Sequence, residues 1–300
     1  MIITKTIAHI FLLAGALFFT LPGHAQTRVT SRAEALKIVK ELNYQQGEIT
    51  LRGGLAKLNV PKEFNFLSPD DAQTVLVKLW GNPPGEKTLG MLMPADKTPL
   101  DKSCWVVTIS FAEDGYVKDN DANKINYEDL LKKMQKSVHE ANAERKKKGY
   151  PSAELVGWAA PPRYDAVAHK LYWAKELKFG GAPEDTLNYN IRMLGRRGVL
   201  VLNAVASMNQ LNAIEEQTPK ILDMVNFNDG NRYADFDPKA DKVATYGLAA
   251  LVAGGIAAKL GLFKMLFVFL LAIKKFLIIA FIAVVACCKK LFSKSRKTTT

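Results

Sequence analysis

Acidic residues are missing from both ends of this chain: none lies before Glu34 or after Asp241. Cysteine is nearly absent, with three residues in 300, and histidine stops at four. Each shortage excludes something. Cys104 is alone between residues 26 and 243, so that region forms no internal disulfide. Flanked by Ser103 and Trp105 at the start of a predicted strand, with no nearby His, it reads as a small buried hydrophobe and not as a nucleophile. Cys287 and Cys288 stand near the C-terminus, and no Cys follows the N-terminal apolar run to accept a lipid. Two of the four histidines, His9 and His24, sit in that N-terminal stretch, which leaves little material for a histidine-based metal site. The sequence has no serine nucleophile elbow, no His-x-x-x-His pair and no Cys-x-x-Cys. No metal and no cofactor are expected.

The formal net charge of +12 suggests a nucleic-acid binder until it is mapped. Residues 26–243 carry 31 Lys and Arg against all 29 Asp and Glu. The rest of the excess is Lys5 and the nine basic residues from Ala244 onward. Basic charge confined to an apolar tail points to anionic lipid as the partner and excludes nucleic acid.

The two ends read as targeting and anchoring segments. Lys5, the apolar run 7–21, Pro22 and the small residues Gly23 and Ala25 form the pattern of a signal peptide cleaved after Ala25. Residues 243–263 hold one charge, Lys259, and are just long enough as a helix to cross the hydrocarbon core at about 1.5 Å per residue. Gly254 and Ala258 put small residues one turn apart there, which permits close helix contact. A second apolar run, 265–288, has Lys274 and Lys275 at its middle. On a helix Lys264, Lys274, Lys275, Lys289 and Lys290 share one face, which suits an anionic membrane surface or a partner and not a lipid-exposed span. The basic C-terminus favours the cytoplasm. The expected organisation is a signal peptide at 1–25, an exported soluble domain at 26–242, a transmembrane helix at 243–263, and an apolar basic helix with a cytoplasmic tail at 264–300. The expected location is a bacterial inner membrane with the soluble domain in the periplasm. The expected partners are membrane lipid and either an envelope protein or a second copy through the C-terminal helices.

Between the ends, helix and strand signals alternate. Ser31 with Glu34 is a capping box ahead of Leu36, Val39 and Leu42. Ser68-Pro69-Asp70-Asp71 supplies a cap, a first-turn proline and first-turn acids before Ala72, Val75, Leu76 and Leu79. Asn126 caps a helix with an apolar stripe through Tyr127, Leu131, Met134, Val138 and Ala141, ended by the basic run Arg145 to Lys148 and Gly149. A fourth helix runs from Leu211 to Val225, kinked or restarted at Pro219. Strands are predicted at 49–52 and 55–60, as a two-residue hairpin about Gly53-Gly54, and at 105–111, 154–159, 164–176, 186–194 and 198–207. The last is apolar on both faces until Asn203, which makes it central. Strands that follow one another without an intervening helix favour an α+β fold, with a largely antiparallel sheet covered by helices and then the C-terminal membrane helices. Arg196-Arg197 between two glycines, and Asn228-Asp229-Gly230-Asn231, read as turns.

Residues 155–206 have a distinctive texture. Gly157-Trp158-Ala159 leads through Pro161-Pro162 to Tyr164-Asp165, and Thr186-Leu187-Asn188-Tyr189-Asn190-Ile191-Arg192 leads to Leu194-Gly195-Arg196. In these elements, and along nearly the whole chain, the sequence resembles the bacterial family of predicted membrane-anchored proteins called domain of unknown function 2167. The resemblance implies an envelope location and no assigned activity.

The same stretch holds the candidate site residues. On a continuous strand Asp165, His169 and Trp173 would fall in one row, and on the next strand Asn188, Asn190 and Arg192 share a face opposite Leu187, Tyr189, Ile191 and Met193. With Trp158 and Tyr164 they form a candidate binding surface for a polar or anionic group. They equally fit the solvent face of a half-buried sheet. Two functional readings stand: a membrane-tethered envelope module that binds or scaffolds without catalysis, and an envelope enzyme built on Asp165, His169 and Arg192.

Overall fold

The computed structural model describes residues 31–82, 88–147 and 149–254. The chain divides into two compact units, 1–254 and 255–300, and all described residues belong to the first. Helix α1 (Arg32–Glu41) starts on the Ser31 hydroxyl, which accepts from the Glu34 amide. Strands β1 (Gly47–Leu51) and β2 (Ala56–Val60) form the predicted hairpin. Its loop holds four residues and not two, because Arg52, Gly53 and Gly54 all take positive φ. Strand β3 (Phe64–Leu67) and α2 (Pro69–Gln73) follow, α2 capped by the Ser68 hydroxyl and continued by a wider turn over Thr74–Leu79. Strands β4 (Gly90–Pro94) and β5 (Val106–Ala112) precede α3 (Tyr127–Lys147). Asn126 Oδ1 accepts from the amides of Glu128 and Asp129 at the start of α3, and Gly149 closes the helix at φ +75°.

Four long strands come next: β6 (Ala153–Asp165), β7 (Lys170–Phe179), β8 (Thr186–Leu194) and β9 (Val199–Ser207). Helix α4 (Leu211–Met224) runs through Pro219 without the expected restart, its Thr218 hydroxyl donating to the Ile214 carbonyl. Strand β10 (Val225–Phe227) and the short α5 (Leu248–Ala253) complete the unit.

The seven-stranded sheet has the order β3-β4-β5-β9-β8-β7-β6, antiparallel throughout, and β9 occupies its centre as its two apolar faces predict. A second sheet, β1-β2-β10, packs with α4 on one face of the large one, around Leu58, Val60, Ile191, Leu202, Ile214 and Ile221. Each such side chain contributes about 1.5–3 kcal/mol on full burial. Helices cover the opposite face in two places. Helices α1 and α2 lie over Leu67, Met91, Met93 and Val106 at the β3–β4–β5 end. Helices α3 and α5 lie over Leu155, Leu171, Trp173, Leu177 and Phe179 at the β6–β7 end.

The C-terminal boundary differs from the expected one. Val243 bridges to Tyr116, Tyr246 Oη donates to Asp114 at 2.6 Å, and Leu248, Leu251 and Val252 enter the core beside α3. Helix α5 then ends at Gly254 with φ +101°. The first half of the expected 243–263 span therefore belongs to the folded unit, because its apolar side chains find a protein core to bury in. Among the described residues no helix is long and apolar enough to cross a membrane. The rest of the expected span, the residues after it and the expected signal peptide lie outside the described residues.

Candidate functional site

The turn between β6 and β7 is made by the two residues expected to share a strand face. Asp165 Oδ1 accepts from the Val167 and Ala168 amides, each at 2.9 Å, and His169 closes the turn at φ +51°. A left-handed conformation costs a non-glycine residue about 1–2 kcal/mol. The continuous strand predicted over 164–176 is corrected: the chain reverses between Asp165 and Lys170, which pair across the hairpin. Asp165-Ala166-Val167-Ala168-His169 has no Gly, Pro or Asn to announce a turn. The Asp side chain supplies it through its own backbone bonds.

His169 joins a cluster drawn from three distant segments. Its Nδ1 lies 3.4 Å from Asp119 Oδ2 and 3.3 Å from Tyr164 Oη. Tyr164 Oη donates to the same Asp119 oxygen at 2.6 Å. The imidazole tilts over Tyr233 at 4.1 Å, Tyr233 stacks on Tyr116 at 4.4 Å, and Tyr116 stacks on Phe236 at 3.9 Å. Partial burial pushes the Asp119 carboxyl up, but the hydrogen bond from Tyr164 and the nearby imidazole outweigh it, so it titrates below the usual carboxylate range. Burial, then the Asp119 hydrogen bond, pushes the Tyr164 phenol up. Burial does the same at Tyr233, whose hydroxyl donates to the Val117 carbonyl at 3.0 Å. Both phenols stay protonated donors at neutral pH, which makes this cluster a strut holding the β6–β7 turn against the loops after β5 and β10.

The second group sits at the centre of the helix-covered face, between the two apolar clusters. Trp173 pairs with Asn190, Asn190 with Asn203, and Asn203 with Thr108, all on that face. Lys175 pairs with Asn188, and Arg192 follows Asn190 along β8. The predicted alternation holds, with Leu187, Tyr189, Ile191 and Met193 in the core on the other side. The half-buried face holds only at Asn188 and Asn203: Trp173 is 1 % exposed, Asn190 3 %, Lys175 7 % and Arg192 8 %.

Most of the polar groups there satisfy one another. Arg192 donates to Asn203 Oδ1 at 3.0 Å, Asn190 Oδ1 at 3.2 Å and its neighbour's carbonyl, Ile191 O, at 2.9 Å. Its guanidinium stands 4.9 Å above the Trp173 ring, a cation–π contact. Asn190 Nδ2 donates to Asn188 Oδ1 and O. Two donors are left over. Trp173 Nε1 is buried without a hydrogen-bond partner. Lys175 Nζ has no hydrogen bond or ion pair with any described residue. Burial lowers the Lys175 pKa to about 8, with the Arg192 charge as the second cause, and burial also lowers that of Arg192. No ion pair joins a carboxylate of the described residues to either cation, the segments before Glu34 and after Asp241 contain no Asp or Glu, and Glu86 lies outside the described residues.

The other predicted residues have structural work. Trp158 Nε1 donates to the Tyr127 carbonyl and its ring packs near α3. Arg196 makes a 2.6 Å ion pair with Asp241 beyond the predicted turn, where Gly195 N donates to Gly198 O. Asn228 to Asn231 is a turn closed by Asn231 N on Asn228 O. Cys104 is half-buried at the edge of the α1–α2 cluster, and burial raises its thiol to about 12, which keeps it unreactive. A groove of about 480 Å³ between α3 and the β6–β7 ends contains no predicted site residue. Its polar lining is engaged locally: Asn142 bonds both backbone groups of Ala153, and Gln135 bonds the carbonyls of Leu155 and Val156. Among the described residues no group of His, Cys, Asp and Glu is placed to hold a metal.

The family model described as protein of unknown function (DUF2167) matches residues 43–285. The chain belongs to this family. The match runs over both site clusters and beyond α5, as the motifs in 155–206 suggest. No curated protein matches the sequence. Among solved structures, the chain is similar to the solution structure of cyanobacterial PsbP (CyanoP) from Synechocystis sp. PCC 6803, at 11% identity, covering 62% of this chain and 92% of that one, with a TM-score of 0.35. At that similarity nothing about this DUF2167 protein follows from its neighbour.

Of the eight predicted surface residues, the fold brings Trp173, Asn188, Asn190 and Arg192 together, and separately Tyr164 with His169. Asp165 stays in its turn, and Trp158 is half-buried against the α3 side of the sheet. Sequence reasoning missed Lys175 and Asp119. Lys175 could have been found from its two-residue spacing to Trp173 in a strand. Asp119 had no local signal. The tail lysines Lys264, Lys274, Lys275, Lys289 and Lys290 lie outside the described residues.

Proposed function

We propose that this protein is a non-enzymatic binding module of the bacterial envelope, exported to the periplasm and tethered to the inner membrane by its C-terminal tail. The observation that favours binding over catalysis is the separation of the three groups the catalytic alternative needs. Asp165 is engaged by two turn amides, His169 by Tyr164 and Asp119, and Arg192 is buried over Trp173 on the sheet face. General acid–base work needs such groups within reach of one reacting atom. The tether rests on sequence: an acid-free, basic, apolar tail follows a unit whose own packing ends at Gly254.

Fractionation of cells tests the tether. The full chain should stay with the membranes after a salt wash, and a chain ending at Gly254 should appear in the soluble periplasmic fraction. A reporter active only in the periplasm should work when joined after Gly254 and fail when joined after Thr300. A full chain released by the wash, or a truncated chain that still sediments, contradicts the proposal.

A further inference from the structure

Deepening the binding reading, we propose that the centre of the helix-covered sheet face is a seat for an oxyanion, a carboxylate or phosphate group, held by the Lys175 ammonium, the Trp173 indole N–H and the Arg192 guanidinium. Three amide oxygens on this face, those of Asn188, Asn190 and Asn203, already accept from Asn190 or Arg192. Trp173 Nε1 and Lys175 Nζ remain as donors, one buried with no partner and the other with none among the described residues. A buried donor left unmade is expensive, and Lys175, 7 % exposed with its ammonium still touching solvent, adds a cation without a counter-charge among the described residues. Both deficits are removed by one group that is rich in acceptors and negatively charged. A guanidinium beside it adds charge and a planar donor edge of the kind that suits carboxylate and phosphate. Neither terminal segment offers an Asp or Glu side chain as counter-charge, and Glu86 is the one acidic side chain outside the described residues. An aliphatic ligand body has no claim here, since the apolar side chains of this face are already packed under α1–α2 and α3–α5.

The test uses the full chain in a neutral detergent, dialysed free of phosphate and sulfate. Inorganic phosphate is titrated calorimetrically and thermal unfolding is followed as phosphate rises at constant ionic strength, with chloride as the control. Phosphate should raise the melting temperature where chloride does not. Lys175→Met should weaken phosphate binding about tenfold or more, as loss of a charge-assisted bond requires. Trp173→Phe, which keeps the ring and removes only the N–H, should weaken it severalfold. Lys175→Arg should restore most of the loss, so a variant that fails to fold does not decide the outcome. A parallel titration with short-chain phosphatidylglycerol separates the sources: a free oxyanion site takes inorganic phosphate in preference, a headgroup site takes the lipid. Equal phosphate binding by the parent, Lys175→Met and Trp173→Phe would place the anion on the tail lysines and overturn the proposal. A melting temperature indifferent to phosphate would assign the two donors to water and overturn it as well. Neither result bears on membrane retention, so the tether stands or falls separately.

Discussion

The two faces of β8 are equally buried and are held in opposite ways. On one, Tyr189, Ile191 and Met193 pack against the small sheet and α4, and every ångström removed from water is favourable. On the other, Asn190 and Arg192 are buried beside Trp173 and Lys175 at a desolvation cost that their mutual bonds only partly offset. The first face makes the fold stable. The second lowers stability while keeping two donors and two cations pre-placed, and a fold tolerates that where those groups have a use.

Truncation on the apolar face should give the largest loss. Leu202 is fully buried between the sheets, so Leu202→Ala should cost about 2–5 kcal/mol in chemical denaturation. The same experiment on the polar face should reverse sign. In anion-free buffer at pH 7, Lys175→Met removes an uncompensated ammonium and should stabilise the domain by roughly 1–3 kcal/mol. The pH dependence follows from the depressed lysine. The folded form releases its proton near pH 8 and the unfolded chain only near about 10.4. Between those values the unfolded state binds more protons, so parent stability should rise with pH across that window, and Lys175→Met should flatten the rise. A parent curve that falls from pH 8 to 10 would contradict the burial of a charged amine there.

A smaller effect belongs to the strut at the β6–β7 turn. Asp119 has a depressed carboxyl, so its contribution is present above the unfolded value near about 3.9 and is lost as pH falls through the folded one. Asp119→Asn should cost about 1 kcal/mol at pH 7, the modest figure reflecting its partial exposure. Parent and variant should converge in acid. Smallest of all, Val167→Ser at the tip of the same turn, 94 % exposed, should shift stability by less than about 0.5 kcal/mol. A large effect there would mean the turn tip is covered by something beyond the described residues.

The architecture was legible where local chemistry dictates it. Ser31, Ser68 and Asn126 announce their helices by capping, and the apolar run of β9 announces its central place. The hairpin at Asp165 was not legible, because its turn is made by an aspartate side chain and a left-handed histidine with no glycine. Strands β3 and β4 were missed as short segments whose pairing is set by distant partners. The α5 segment misled for a different reason: its apolar composition suits a membrane or a core equally, and only the tertiary fold shows Leu248, Leu251 and Val252 in the core. For the site, two-residue alternation assigned Asn188, Asn190 and Arg192 to one face. It does not report how deeply neighbouring strands and side chains bury that face, so a largely buried cationic centre read as a solvent-facing one. Asp119 reaches Tyr164 from 45 residues away in sequence and His169 from further still, which no local spacing reveals.

Lys175 is a largely buried lysine with no counter-charge among the described residues. Carbon-13 labelling at the lysine ε-carbons, with Lys175→Arg to assign the resonance, reads its titration in the folded full chain. In anion-free buffer the midpoint should fall near pH 8, and added phosphate should move it upward. A midpoint near the ordinary lysine value of about 10.4, unmoved by phosphate, would contradict the account.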